Sequence, residues 1–271
     1  MFKKNKRKCG MYYKIFKTGL ASQLEYRINF ITSFLFSLIP FAANALLWIA
    51  AAHQNKRMTV NINGIISYYF VILIVSNITS TSSAAEISED IRLGGLNKYL
   101  LKPYNYALYK LVLELPKRFI FIIMNFIPLM LIYIFLNKYI ELKLSAVKIL
   151  CFILLSISGY LINFLFDFFI SLCGFYFSKV ASLYNSIRVI KNIFSGAVFP
   201  LMLLPDSVFK FLTILPFAYI NYFPADVLLN EVFLNVITGR AIKSFMWILV
   251  LTLICMLLWK KGLRKYSAYG G

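Results

Sequence analysis

Few residues in this 271-residue chain have the types and spacing that catalysis requires. The single histidine, His53, has no second histidine or cysteine nearby in the sequence with which to share a metal ion. The cysteines lack metal-ligand spacing. No Gly-x-x-x-x-Gly-Lys-Ser/Thr motif occurs, so the chain has no P-loop with which to bind and hydrolyse ATP. We therefore expect no catalytic residue, no metal site and no cofactor bound by this chain.

One acidic residue, Asp167, lies deep inside an apolar run. An ionised carboxylate in hydrocarbon is costly, so intramembrane acids are treated by default as functional. The sequence pattern offers no buried basic partner for Asp167. Its carboxyl group could instead be neutral, or hydrogen-bonded to Asn163 or to a neighbouring helix, so a functional and a structural role both stay open.

Six long apolar runs indicate that the chain crosses a membrane. Most approach the roughly 20 residues that a spanning helix needs, and they cover residues 28–52, 64–85, 119–136, 149–177, 187–204 and 245–259. Hydrophobic residues make up 61% of the chain and aromatic residues 17%, more than a soluble domain carries. We predict one all-α integral membrane domain with six transmembrane helices, of which the first five lie within residues 28–204.

Charge predicts the orientation of these spans. The chain has 29 Lys and Arg residues against 10 Asp and Glu, a net charge of +19. Most of the basic residues fall on one side if both termini are cytoplasmic, as the positive-inside rule requires. They are scattered among short loops beside the membrane, where anionic lipids attract them, so we expect lipid contact and no nucleic-acid binding.

The N-terminal segment, residues 1–27, contains an amphipathic pattern. A helix over residues 11–27 would carry apolar and charged side chains on opposite faces: Tyr12, Ile15, Phe16, Leu20 and Leu24 against Lys14, Lys17 and Glu25. The pattern favours a helix lying in the inner headgroup layer. An ordinary solvated amphipathic helix is the alternative.

A compact cytoplasmic loop follows the second run. Over residues 84–93 its isoleucines share one face and its acids another, and Gly94-Gly95 ends the helix. The loop is either a solvated helix that balances nearby lysines or a rigid helix that docks a soluble partner, and we favour docking because it joins two spans. The candidate coupling residues are Glu86, Ile87, Glu89, Asp90, Ile91, Arg92, Gly94 and Gly95.

Small polar residues end the second run just before this loop. Ser76, Ser80 and Ala84 are spaced four apart, which lets neighbouring helices approach closely. We favour a packing seam here over a hydrophilic pathway.

The chain becomes irregular after the fifth run. Prolines interrupt the apolar residues beyond 204, and such short segments suit re-entrant or interfacial structure better than spans. We therefore predict that residues 205–243 form an outer loop that dips back into the outer leaflet. The last span and a cytoplasmic tail then occupy residues 244–271.

The end of the fifth run combines a small residue pair, an aromatic residue and prolines. These are the parts of an outer gate, because small residues permit close helix approach and proline interrupts a helix. A plain helix end before an outer loop is the alternative. The candidate residues of the translocation path or gate are Ser195, Gly196, Phe199, Pro200, Pro205 and Asp167.

Three stretches, residues 86–103, 195–205 and 261–271, occur in an order that resembles the permease subunits of type-2 ATP-binding-cassette exporters. The resemblance spans nearly the whole chain. It implies a six-span subunit that dimerises with a second permease copy or paralogue, above separate ATPase subunits that bind ATP and Mg. By position, residues 11–27 would be the connecting helix, residues 84–93 the coupling helix and residues 205–223 a re-entrant outer hairpin.

Such exporters move amphipathic or lipid-like molecules, drugs and peptides out of the cell. The resemblance therefore implies an exporter subunit in a bacterial plasma membrane. A secondary transporter or channel is the main alternative, although it would need several intramembrane charges or inverted repeats. A lipid-modifying membrane enzyme is a further alternative, which the shortage of clustered histidines and acids disfavours.

Overall fold

The computed structural model describes residues 2–25, 28–54, 61–142, 144–177 and 180–266. Within these ranges the chain is helical and contains no β-strand. The α-helices are α1 (Phe2–Glu25), α2 (Ile28–Gln54), α3 (Ile62–Thr79), α4 (Ala84–Arg92), α5 (Asn97–Leu100), α6 (Tyr106–Leu136), α7 (Ala146–Leu172), α8 (Val180–Phe194), α9 (Asp206–Leu212), α10 (Tyr222–Leu229) and α11 (Leu234–Lys265). Short 3-10 helices occupy Cys173–Phe175, Leu201–Leu203 and Pro216–Tyr219.

Five helical segments of the described chain are long and apolar enough to cross a membrane. They are Thr32–Ala51, Ile62–Arg92, Tyr106–Leu136, Ala146–Phe175 and Leu234–Lys265. Large apolar side chains on α2, α6 and α11, among them Phe36, Phe135 and Leu257, are exposed at the protein surface. This combination confirms the predicted all-α membrane class, since a lipid-facing helix keeps such side chains on its outside.

The fifth apolar run differs from the other five. Helix α8 has 15 residues and ends at Phe194, so residues 187–204 do not form one continuous helix. Gly196 has a φ of 86°, which interrupts the helix, and Pro200 cannot donate a backbone hydrogen bond. A fifth crossing at the predicted place would require α8 together with the irregular residues that follow it.

Helices α3 and α7 form the buried centre of the protein. Helix α7 contacts α3, α4, α10 and α11. At Gly159 a Cβ atom would lie 2.7 Å from the Ile220 carbonyl oxygen and 2.8 Å from that of Tyr219. The backbone of the segment before α10 therefore crosses α7 directly, with no side chain between them.

The region between α8 and α11 is folded and largely buried. All residues from Tyr222 to Leu228 in α10 are buried. The Asp226 carboxylate lies 2.7 Å from the Arg240 guanidinium and accepts a hydrogen bond from the Asn230 amide. Because Arg240 belongs to α11, this ion pair ties α10 to the last helix. Helix α11 begins at Leu234, inside the range that the sequence assigned to the outer loop.

The N-terminal helix α1 packs along the start of α6. The Cβ position of Gly19 lies 3.2 Å from the Pro116 ring, and the Asn105 backbone N–H donates to the Tyr12 hydroxyl. Of the predicted apolar face, Tyr12, Ile15, Phe16 and Leu20 are half-buried, whereas Leu24 is exposed. Lys14 and Lys17 are exposed on the other side, so α1 has one half-buried face and one exposed face.

The direct backbone contact at Gly159 gives a stability prediction. We expect Gly159→Ala to lower the free energy of unfolding by roughly 1–3 kcal/mol, because the new methyl group would overlap backbone atoms that must shift. Gly239→Ala is the matched control, since it is also inside a helix and its Cβ would meet no atom within 4 Å. The melting temperatures of both variants in nanodiscs test this expectation. Equal melting temperatures would show that α7 and the segment before α10 are further apart.

Candidate functional site

Helix α4 is anchored on one face and exposed on the other. Ile87 and Ile91 are 1% and 3% exposed and join a buried cluster with α7 residues such as Phe168. Glu86, Glu89 and Arg92 are exposed. Gly94 then takes a φ of 78°, a conformation that favours glycine, and ends the helix. The arrangement leaves a short charged surface supported by a rigid apolar base.

Asp90 differs from the sequence expectation that it faces a partner. Its side chain is buried, and its carboxylate lies 2.8 Å from the Lys110 ammonium and accepts a hydrogen bond from the Tyr106 hydroxyl. Lys110 is itself 1% exposed and also contacts Glu86 at 2.6 Å. A carboxylate surrounded by these groups turns inward because it has cationic and hydroxyl partners there. Asp90 therefore fixes α4 to α6.

The residues that follow α4 also pack around the Asp90 ion pair. A Cβ atom on Gly95 would lie 3.0 Å from the Asp90 carboxylate, so a side chain there would crowd the ion pair. The Tyr99 ring lies 5.3 Å from the Lys110 ammonium. Burial raises the pKa of the Tyr99 hydroxyl, which keeps it neutral. Leu93, which follows α4, is 64% exposed.

Asp167 has a buried basic partner, and the expectation that it lacks one is wrong. The Lys191 ammonium of α8 contacts one oxygen of its carboxylate, and the Thr81 hydroxyl donates to the other. The Tyr184 hydroxyl donates to the same second oxygen at 3.3 Å. Both charged side chains are almost fully buried. A cation and two hydroxyl groups thus contact the carboxylate.

Lys191 belongs to a polar face of α8. Hydropathy averaged over the fifth run conceals this face because most of the residues in the run are apolar. Tyr184, Arg188, Lys191 and Ser195 recur every three or four residues, the spacing of one helical face. This periodicity was the signal available in the sequence. Hydropathy averaged over residues 187–204 did not reveal Lys191 as a partner for Asp167, although helix α8 brings the two together.

A polar cavity of about 330 Å³ lies beside this ion pair. It is bounded by α2, α3, α7, α8 and the segment before α10. Ser76 and Ser80 line it, together with Thr79 and Thr81. The end of α3 that the sequence suggested as a packing seam therefore faces a hydrophilic space.

A chain of side-chain hydrogen bonds closes one wall of the cavity. The Asn163 amide donates to the Thr79 carbonyl at 2.7 Å, and the Thr79 hydroxyl lies 2.8 Å from the Asn221 amide oxygen. The Asn221 amide in turn donates to the Ser195 hydroxyl at 3.0 Å. These bonds connect α3, α7 and the end of α8 around the cavity.

The candidate gate residues after α8 lie against α2 and α3 of the same subunit. The Tyr68 hydroxyl donates to the Gly196 carbonyl at 2.6 Å, and a Cβ on Gly196 would lie 2.8 Å from that hydroxyl oxygen. Phe199 packs edge-on against Trp48, with ring centroids 4.7 Å apart. Pro205 lies beyond them, immediately before α9. Of the predicted path and gate residues, only Asp167 and Ser195 line the polar cavity.

The Asp167–Lys191 pair gives a testable energetic consequence. Lys191→Met should destabilise the protein by about 3–5 kcal/mol, because it leaves a buried carboxylate without its cation. Adding Asp167→Asn to Lys191→Met should recover part of that loss, since the amide carries no charge. Thermal unfolding of the single and double variants in nanodiscs makes the comparison. If the double variant loses as much stability as Lys191→Met and Asp167→Asn lose together, the two side chains do not interact.

Comparison with known proteins agrees with this architecture. A family model described as ABC-2 family transporter protein matches residues 38–270, which is most of the chain. No curated protein and no solved structure matches the chain. The matched region includes α4, all residues that line the polar cavity except Ser37, and the residues after α8. This multi-pass membrane protein therefore belongs to the ABC-2 family of transporter proteins, as a permease of that type.

Proposed function

We propose that this chain is the membrane-spanning subunit of an ATP-driven exporter. A separate ATPase subunit, which binds ATP and Mg, would power the outward movement of amphipathic, lipid-like, drug or peptide cargo. The single observation that carries the proposal is the construction of α4. Its apolar face is buried against α7, its Asp90 is bound to α6, and its outer face presents Glu86, Glu89 and Arg92.

Short connections link α4 to the polar cavity. Thr81 contacts Asp167 three residues before α4 begins, and the Ser82 backbone N–H donates to the Glu114 carboxylate of α6 at 2.6 Å. At the start of α4, the Ala84 carbonyl accepts from the Ser171 hydroxyl of α7. Coupling between sites travels through packed and hydrogen-bonded networks of this kind. A displacement of α4 by a docked ATPase would thus reach Asp167 through very few residues.

The proposed topology has six crossings and places both termini in the cytoplasm of a bacterial cell. Helix α8 and the residues after it would make the fifth crossing, α1 would be the connecting helix in the inner headgroup layer, and α9 to α10 would form a re-entrant outer hairpin. Two such subunits would pair within the lipid bilayer. The contact of Phe199 with Trp48 supports a closed outer end, which the Phe199 of a second subunit would complete.

A secondary transporter is the second candidate because of one observation. A buried pair of opposite charges, Asp167 and Lys191, lies beside a polar cavity, and such residues mark ion pathways in some transporters. The exposed charged face of α4 favours the exporter, since a secondary transporter has no ATPase to dock. The described residues contain no group of three or more metal-ligating side chains, which gives a membrane enzyme no support.

The first test of the proposal is ATP hydrolysis. The purified chain should hydrolyse no ATP above an empty-nanodisc blank, because its sequence has no P-loop. Adding an ATPase subunit that copurifies with the chain from its source cells should produce hydrolysis that the permease modulates. Hydrolysis by the chain alone would refute the division of labour. An ATPase that neither binds nor responds to the chain would favour the secondary transporter.

A second test concerns the docking face of α4. Combining Glu89→Lys with Arg92→Glu should weaken ATPase binding about tenfold at low salt, because exposed interfacial charges steer association. The permease itself should stay as stable as the original protein, since both side chains are exposed. Asp206→Lys is the control, an exposed acid on α9. Affinity measured by biolayer interferometry decides the matter, and unchanged binding of the double variant would remove α4 as the docking site.

A further inference from the structure

We propose that the polar cavity beside Asp167 binds the anionic group of the cargo, a phosphate or a carboxylate, and that Arg188 is the residue that contacts it. This inference rests on the proposed transport function, because it names the chemical class of what is transported. The apolar part of the cargo would lie outside the cavity.

The charges that line the cavity do not balance. Two cations, Arg188 and Lys191, and one carboxylate, Asp167, face it among the described residues. The carboxylate is fully engaged, because Lys191 contacts one oxygen and Thr81 and Tyr184 contact the other. One positive charge is therefore left without a counter-charge in a partly enclosed space.

Arg188 supplies that positive charge. It is exposed, and none of the described carboxylates lies within 4.0 Å of its side chain. Its guanidinium lies 6.0 Å from the centre of the ring of Tyr184, whose hydroxyl contacts Asp167. A planar guanidinium binds phosphate and carboxylate oxygens through paired hydrogen bonds, so it suits both groups.

Neutral donors surround the same space. Asn44 on α2 and Asn192 on α8 line the cavity, and their side-chain amides make no hydrogen bond to the described residues. An anion could accept from these amides as well as from Arg188. A cationic ligand would be repelled by the unbalanced charge of Arg188, and a neutral one would leave Arg188 without a counter-charge.

The size of the cavity limits what can enter it. A volume of about 330 Å³ is at the small end of the range for ligand pockets. It accommodates a headgroup and a short linker, whereas a long acyl chain would need the surrounding bilayer. The proposed ligand is therefore an amphipath whose anionic end enters the cavity.

Binding to the purified chain tests the proposal without any ATPase. Tritium-labelled decyl phosphate should bind saturably to the protein in phosphatidylcholine nanodiscs, below the concentration at which it forms micelles. Unlabelled decanoate should compete, whereas decanol and decyltrimethylammonium should not. If unlabelled decyl phosphate competes at a lower concentration than decanoate, phosphate is the preferred group. The reverse order would identify carboxylate.

Substitution of Arg188 supplies the decisive comparison. Arg188→Gln should weaken decyl phosphate binding about tenfold or more, and Arg188→Lys should retain part of the affinity. Arg264→Gln, which removes an exposed arginine near the end of α11, should bind like the original protein. Equal melting temperatures would show that all three variants fold.

Two results would overturn the proposal: unchanged binding by Arg188→Gln, or equal competition by the cationic amphipath. Failure of the proposed transport function would give a different set of results. In that case binding and its dependence on Arg188 would persist, while the ATPase would neither associate with the protein nor respond to decyl phosphate.

Discussion

An ionised carboxylate removed from water needs a cation close to it, because the energy of an isolated charge in a low-dielectric interior is prohibitive. Three aspartates of this protein meet that requirement at different places along the chain. Asp90 binds Lys110 where α4 meets α6, Asp167 binds Lys191 where α7 meets α8, and Asp226 binds Arg240 where α10 meets α11. Each pair joins two different helices, of which α7 and α8, and also α10 and α11, follow each other in the sequence. The three ion pairs therefore fix these three helix contacts, while apolar packing fills the space between the helices.

Much of the fold follows from hydropathy alone, since five of the six apolar runs correspond to helices long enough to span a membrane. The amphipathic pattern of α4 was also readable, because Ile87 and Ile91 are four residues apart and both are buried. The inward turn of Asp90 was not readable, because its partner Lys110 lies 20 residues further on and is placed by tertiary structure. The same limit applies to Asp167 and Lys191. A pattern along one helix shows which residues share a face, but it does not show which other helix that face meets.

The irregular region after α8 shows what hydropathy averaged over a long stretch of sequence fails to detect. Its hydropathy resembles that of a span, yet Gly196 and Pro200 end the helix early and the following residues fold against α2 and α3. The polar residues of α8 were diluted in the same average, although their spacing identifies one face. Local backbone chemistry and helical periodicity thus carried information about the cavity wall that length and composition did not.

The contact at Gly159 also bears on how the protein can move. Where side chains separate two segments, rotamer changes can absorb a small relative displacement, but here carbonyl oxygens of residues 219 and 220 lie directly against the α7 backbone. No side chain lies between the two backbones at this point to absorb such a displacement. A relative displacement of α7 and the segment before α10 would have to move backbone atoms, so we expect these two segments to shift together in a conformational cycle.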